Sequence, residues 1–195
     1  MAVRRIWIAL GAVVVVAFLV IGLLQANTGG SDKPKSSVTS SQFAKQLAGS
    51  PAPLADLHAQ SGSLLAGGAA AFKARLAQLK GRPVIVNKWA SWCGPCRAEF
   101  PDFQKASVKY GKRVAFVGVD GNDNHGDALK FLKQYPVPYP SYEDPDGKVA
   151  QVLNATVAFP TTVFYDSSGK LAYLHQGQYL TGAKLEQDIQ RYALR

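Results

Sequence analysis

The chain is poor in cysteine, with two among 195 residues. So few exclude a scaffold stapled by several disulfides. They also exclude a zinc site made of thiolates alone, which takes four ligands. Histidine is scarce as well. His58, His125 and His175 are widely spaced and show no ligand pattern, so a mixed site of two cysteines and two histidines is not favoured. Neither a metal nor a cofactor is implied. Basic residues occur without clustering. The formal net charge is +9, yet no run of five or six lysines or arginines occurs. A nucleic-acid interface is therefore not expected, and the charge reads as a solvated basic surface. Internal repeats are absent. Apolar residues make up 47% and charged residues 18%, a globular balance that excludes a disordered or collagen-like chain over most of the length.

What is present begins with a long apolar stretch. Residues 6–24 contain no charge, and a helix of that length reaches roughly 28 Å, close to the hydrocarbon core of a bilayer. Arg4 and Arg5 precede it, which favours residues 1–5 staying in the cytoplasm; everything after residue 24 would then be outside. The rival reading is a cleaved signal peptide. Its apolar core should be shorter and followed by a small-x-small site. Leu24-Gln25-Ala26 has a large residue where a small one is needed. An uncleaved single-pass anchor in the cell membrane is therefore expected, and both readings export the rest. Residues 25–50 are rich in Ser, Thr, Gly, Lys and Gln and read as a flexible tether. Phe43 and Leu47 give weak support for a short helix there.

The domain is expected over 51–195. Residues 54–65 suggest two short strands around Ser61-Gly62. Phe72, Leu76 and Leu79 give helical spacing over 69–79. Val84-Ile85-Val86 marks a central strand over 83–89. Residues 95–110 read as a helix with Phe100, Phe103 and Tyr110 inward and Pro95 in its first turn. A strand over 113–119 and a helix over 127–135 follow. Pro136, Pro138 and Pro140 enforce an extended stretch. Asp144-Pro145-Asp146-Gly147 is a turn, and 148–153 a short helix. Residues 161–165 and 171–176 form a hairpin around Asp166-Ser167-Ser168-Gly169. Thr181 or Gly182 opens a last helix with Leu185, Ile189 and Tyr192 on one face. This order predicts an α/β domain with a central mixed sheet flanked by helices.

The two cysteines stand two residues apart in Trp92-Cys93-Gly94-Pro95-Cys96, after the central strand and at the start of a helix. Free N–H groups and the helix dipole at that position favour a thiolate on Cys93. Such a thiolate attacks a disulfide in a partner and forms a mixed disulfide. Cys96, one turn on, then resolves it; run backwards, the pair donates a disulfide. The plainer alternative is a structural bridge, but closing so small a loop stabilises little.

Residues 86–99, Val-Asn-Lys-Trp-Ala-Ser-Trp-Cys-Gly-Pro-Cys-Arg-Ala-Glu, resemble the active site of the thioredoxin superfamily. They are most similar to its exported, membrane-anchored branch typified by TlpA and ResA. Phe159-Pro160-Thr161-Thr162 resembles that family's cis-proline loop. The resemblance covers about 51–195 and is strongest over 82–103 and 142–177. It implies a thioredoxin-like fold and thiol–disulfide exchange with exported proteins, often reduction of cysteine pairs in apocytochrome c or copper-site proteins. A membrane partner that gives or takes electrons goes with it. The catalytic residues it implies are Cys93, Cys96 and Glu99, the last as an acid–base group or else a solvated helix residue. Substrate contacts would come from Trp92, Gly94, Pro95, Phe159 and Pro160. If Pro160 is cis, Phe159 presents its backbone to an incoming peptide; the alternative is an ordinary trans proline. Asn87 stands where cytoplasmic thioredoxins have a buried Asp, and it reads as a core amide. Trp89 is expected in the core. Lys88 is unusual in a central strand and is expected to snorkel to an edge or to favour thiolate through its charge.

Two other functions can be weighed on the same residues. Peroxiredoxin-type peroxidases need Pro-x-x-x-Thr-x-x-Cys, and Val86 and Ala90 occupy those positions here. Copper chaperones of SCO type use Cys-x-x-x-Cys with a distant His, and the spacing here is one residue short. Direction of electron flow stays open. The Gly-Pro dipeptide leans toward a reductase, with a disulfide-donating oxidant as the alternative.

Overall fold

The computed structural model describes residues 39–194. The expected anchor at 6–24 and most of the tether lie outside these residues. Among the described residues no helix is long and apolar enough to cross a membrane.

The folded region starts earlier than residue 51. Helix α1 (Ser40–Gln46) opens with the Thr39 amide donating to Gln42 Oε1 at 2.7 Å. Phe43 and Leu47, one turn apart, are both buried. The tether reading therefore fails over residues 40–47, because these two apolar side chains find cover against the domain. A second correction concerns 54–65. Residues Ala52–Ala59 form helix α2 rather than a strand. Leu54 and Leu57 lie three apart, the helical neighbour spacing, and both are buried. Only Leu64–Leu65 remains extended, as β1.

The rest follows the expected order. Helix α3 (Gly68–Gln78) leads into β2 (Val84–Trp89), helix α4 (Gly94–Tyr110), β3 (Ala115–Gly121) and helix α5 (His125–Gln134). Strand β4 (Ser141–Asp144), helix α6 (Lys148–Val152), β5 (Thr161–Tyr165), β6 (Leu171–Gln176) and helix α7 (Gly182–Asp188) complete the domain. The chain beyond α7 continues as a π-helical turn over Ile189–Ala193.

The strands form one mixed sheet in the order β1-β4-β3-β2-β5-β6. β2 runs parallel to β3 and antiparallel to β5. Every residue of β2 and β3 is buried, which is why each opens on an unbroken apolar run, Val84-Ile85-Val86 and Ala115-Phe116-Val117, rather than an alternating one. Alternation along β2 divides its side chains between two cores. Ile85 and Trp89 join Phe100, Phe103, Phe131 and Leu185 on the face covered by α4, α5 and α7. Val84 and Val86 join Leu54, Leu57, Phe72 and Val149 on the face covered by α2, α3 and α6. Trp89 lies in the core, stacked on Phe131 at 4.7 Å between ring centroids and edge-on to Phe100 at 5.4 Å. Gly118 makes room for it: a Cβ there would fall 3.0 Å from the indole nitrogen and 2.0 Å from Ser141 Oγ.

Candidate active site

The C-terminal ends of β2 and β3 open side by side, the usual place for a site in an α/β sheet. β2 ends at Trp89, and α4 starts five residues later. Cys93 is the N-cap of α4. Its sulfur accepts a hydrogen bond from the Cys96 amide at 3.1 Å. Cys93 and Cys96 are joined in a disulfide. Cys96 is fully buried and Cys93 is 4% exposed, whereas Gly94 and Pro95 between them are exposed. Helix α4 has 17 residues and no acid in its first turn. Its positive end therefore bears on Cys93 with no acid in the helix's own first turn to oppose it.

The loop ahead of the pair is tied to the segment that follows β3. Asp123 accepts from the Ser91 amide and, at 2.8 Å, from Ser91 Oγ. Trp92 is 58% exposed and donates from Nε1 to the Asn122 carbonyl at 3.0 Å. Its ring leans on Phe159 at 5.0 Å. The Phe159-Pro160 bond is cis. Pro160 is buried and Phe159 half-buried. Among the described residues the Phe159 backbone has no hydrogen-bond partner.

Glu99 lies one turn beyond Cys96. It is fully buried, which corrects the reading of a solvated helix residue. Its Oε1 accepts from Asn87 Nδ2 at 2.9 Å and its Oε2 from the Tyr179 amide at 3.0 Å. Burial pushes the carboxyl up to about 7, against the pull of these two donors, and Asp102 adds slightly to the rise. Asn87 is a buried core amide as expected, and its Oδ1 has no partner among the described residues. Turning the amide by half a rotation lets that oxygen accept a hydrogen bond from the protonated Glu99 carboxyl. Asn87 therefore suits both protonation states of its neighbour.

Asp120, at the end of β3, is also buried. Burial first, then Asp123, Glu143 and Asp144, push its carboxyl up to about 8. Lys88 does not snorkel. It is 1% exposed, and β2 is an interior strand of the sheet. Its Nζ donates to the Ala155 carbonyl and stands 3.8 Å from the centre of the Phe159 ring. Among the described residues no group of His, Cys, Asp and Glu could hold a metal ion.

The structure thus gathers the cysteines, Trp92, Glu99 and Phe159 around the start of α4. Sequence reasoning missed Asp123, Asn122 and Tyr179. Asp123 carried a readable signal: an acidic residue two positions after a buried strand, beside the end of β2. Asn122 and Tyr179 act through backbone groups and carried none.

The family model described as AhpC/TSA matches residues 49–174. The chain belongs to the AhpC/TSA family. Within that family, its similarity runs to proteins named for disulfide chemistry. It is 42% identical over 94 residues to a thiol:disulfide interchange protein DsbE homolog of Paracoccus denitrificans, covering 48% of this chain and 50% of that one. It is 33% identical over 115 residues to the thiol-disulfide oxidoreductase ResA of Oceanobacillus iheyensis, covering 57% and 58%. The chain spans about half the length of these curated relatives. A crystal structure from Chlorobium tepidum, designated a thiol:disulfide interchange protein DsbE, superposes with a TM-score of 0.55 at 34% identity, over 60% of this chain and 84% of that one. The thioredoxin-like fold expected from the sequence is thereby shown.

Proposed function

We propose that this AhpC/TSA-family protein is a thiol–disulfide oxidoreductase that exchanges disulfides with exported proteins. Cys93 is the attacking sulfur and Cys96 the resolving one. The observation that carries the reading is a cysteine pair bonded at the N-terminus of a long helix, with an exposed Gly94-Pro95 over it. A peptide laid along the unpaired backbone of Phe159 would pass under Trp92 and gain strand-like hydrogen bonds. Glu99, poised near neutrality, serves as the acid–base group for the buried Cys96 thiol.

The apolar stretch at 6–24 supports a single-pass anchor with the domain outside the cytoplasm. The names of the relatives support thiol or disulfide substrates. The direction we infer is reduction, in cytochrome c maturation or a similar process, fed by an electron donor in the membrane. The Gly-Pro dipeptide and the anchor support it. A peroxidase is not favoured: Val86 and Ala90, both buried and apolar, stand where the peroxide-activating groups would be.

Trapping tests the assignment. Cys96→Ser should accumulate mixed disulfides with exported proteins through Cys93, and Cys93→Ser should form none. Equal trapping by both variants, or by neither, contradicts it. The redox state of the pair in the cell tests direction. A mostly reduced pair supports a reductase, and a mostly oxidised one supports a disulfide donor. Copper binding lost in Cys93→Ser, without exchange activity in the parent, would point instead to a copper chaperone.

A further inference from the structure

A lysine buried in an interior strand calls for a reason, because an ammonium without partners is costly to remove from water. Lys88 pairs in register with Thr161 of β5 through its backbone. Its side chain points away from Glu99, to the face covered by α6. The carboxylate that acts on it electrostatically is Asp144. Both oxygens of Asp144 are already engaged, by the Val149 and Ala150 amides at 2.8 Å each. The contacts Lys88 itself makes go to one segment, the loop between α6 and β5. It donates to the Ala155 carbonyl, and it lies over the Phe159 ring.

Phe159 is gripped from three directions. Lys88 covers one side of the ring. Trp92 leans on it from the cysteine loop. Gly121, at the end of β3, lets the ring come close: a Cβ there would fall 2.9 Å from Phe159 Cζ and 3.9 Å from Lys88 Cδ. At its far end the loop is held by Thr161 Oγ1, which donates to the Ala158 carbonyl at 2.8 Å. Between these anchors Val157 stands 83% exposed. The loop is therefore fixed at the residues facing the sheet and open at those facing outward.

We propose that Lys88, with Gly121, is a positioning residue for polypeptide substrates: it holds Phe159, and through it the 155–160 loop, in the conformation that receives the substrate backbone. The proposal rests on the exchange function given above. It assigns Lys88 to recognition of an extended peptide rather than to activation of the thiols. A small disulfide that needs no strand-like docking should be indifferent to it.

The test uses the detergent-solubilised full chain, reduced beforehand, in single turnovers. One probe is an extended synthetic peptide with its cysteine in a mixed disulfide with glutathione; the other is hydroxyethyl disulfide. Lys88→Met keeps an unbranched apolar side chain one atom shorter and removes the charge and the donors. It should raise the half-saturating peptide concentration about tenfold, the loss expected from one cation–π contact and one hydrogen bond. The maximal rate and the rate with hydroxyethyl disulfide should stay within about twofold. In a Phe159→Ala background the same change should add clearly less, within about threefold, because only the hydrogen bond to the Ala155 carbonyl is left to lose. An unchanged half-saturation, an equal slowing with both probes, or an additive loss in the Phe159→Ala background overturns the proposal. If Lys88→Met does not fold, Gly121→Ala carries the test, since its methyl displaces the Phe159 ring from the other side. It should give the same split between the two probes, and an unchanged peptide response overturns the proposal. A parent protein that reacts with neither probe is a separate result, and it sinks the exchange function itself.

Discussion

Glu99 sits in a pocket whose two hydrogen-bond donors, Asn87 and the Tyr179 amide, stabilise its anion, while burial opposes the charge more strongly. The result is a carboxyl that titrates near neutrality, where proton transfer to and from a thiol is most effective. The exchange rate of the parent protein should therefore break near pH 7. Glu99→Gln should lose that break and slow resolution by Cys96 about ten- to a hundredfold, in the range of a lost general acid–base group. The Gln amide fits the site, because Asn87 Oδ1 is free to accept from it. A pH–rate profile of both proteins, measured by stopped flow, checks this. The cysteines, Trp92 and the cis-proline loop were legible in the sequence because their residue types and order are distinctive. The burial of Glu99 was not. Its position four residues before Phe103 places it toward the inward face of α4, but a carboxyl is not expected to be buried without partners, and one of its partners is a backbone amide 80 residues further on.

Helix α6 is only five residues long, too short to persist without an anchor. Asp144 supplies it by capping two amides at its start with one buried carboxylate. Asp144→Ala leaves those amides without their acceptor and should cost about 2 kcal/mol of stability, read as a lower urea midpoint. The α6–β5 loop that carries Phe159 should loosen with it, seen as faster amide exchange at residues 155–160. At this scale β2, α4 and β5 were legible, since runs such as Val84-Ile85-Val86 admit one reading. Residues 54–65 were not. Leu54 and Leu57 are spaced for a helix, but two residues are too few to set a period, and the decision fell to packing against β3 and the α3–α6 layer. Lys88 misled for a related reason. An interior strand with a charged residue looks like an edge until the loop that takes up the charge is in place.

Over the whole domain two buried carboxyls, Glu99 at about 7 and Asp120 at about 8, hold their protons more tightly than an unfolded chain would. A carboxyl raised in this way stabilises the fold fully below its unfolded value. That contribution is lost as pH rises through the folded value. Stability should therefore fall from about pH 4 to about pH 8 by an amount on the order of a few kcal/mol, other groups being equal. Urea midpoints at pH 5 and pH 8.5 measure the fall. Glu99→Gln with Asp120→Asn should flatten it, and a slope unchanged in the double variant would show that neither group is its source. The Cys93–Cys96 bridge should work as a redox pair in a domain that stays folded through the cycle. The measurement is equilibration of the protein across a series of glutathione redox buffers, followed by alkylation mass shift and near-ultraviolet circular dichroism on the same samples. A reversible two-electron transition between bridge and dithiol is expected, with folded spectra at both ends. A bridge that opens only after denaturant is added would rule out that role.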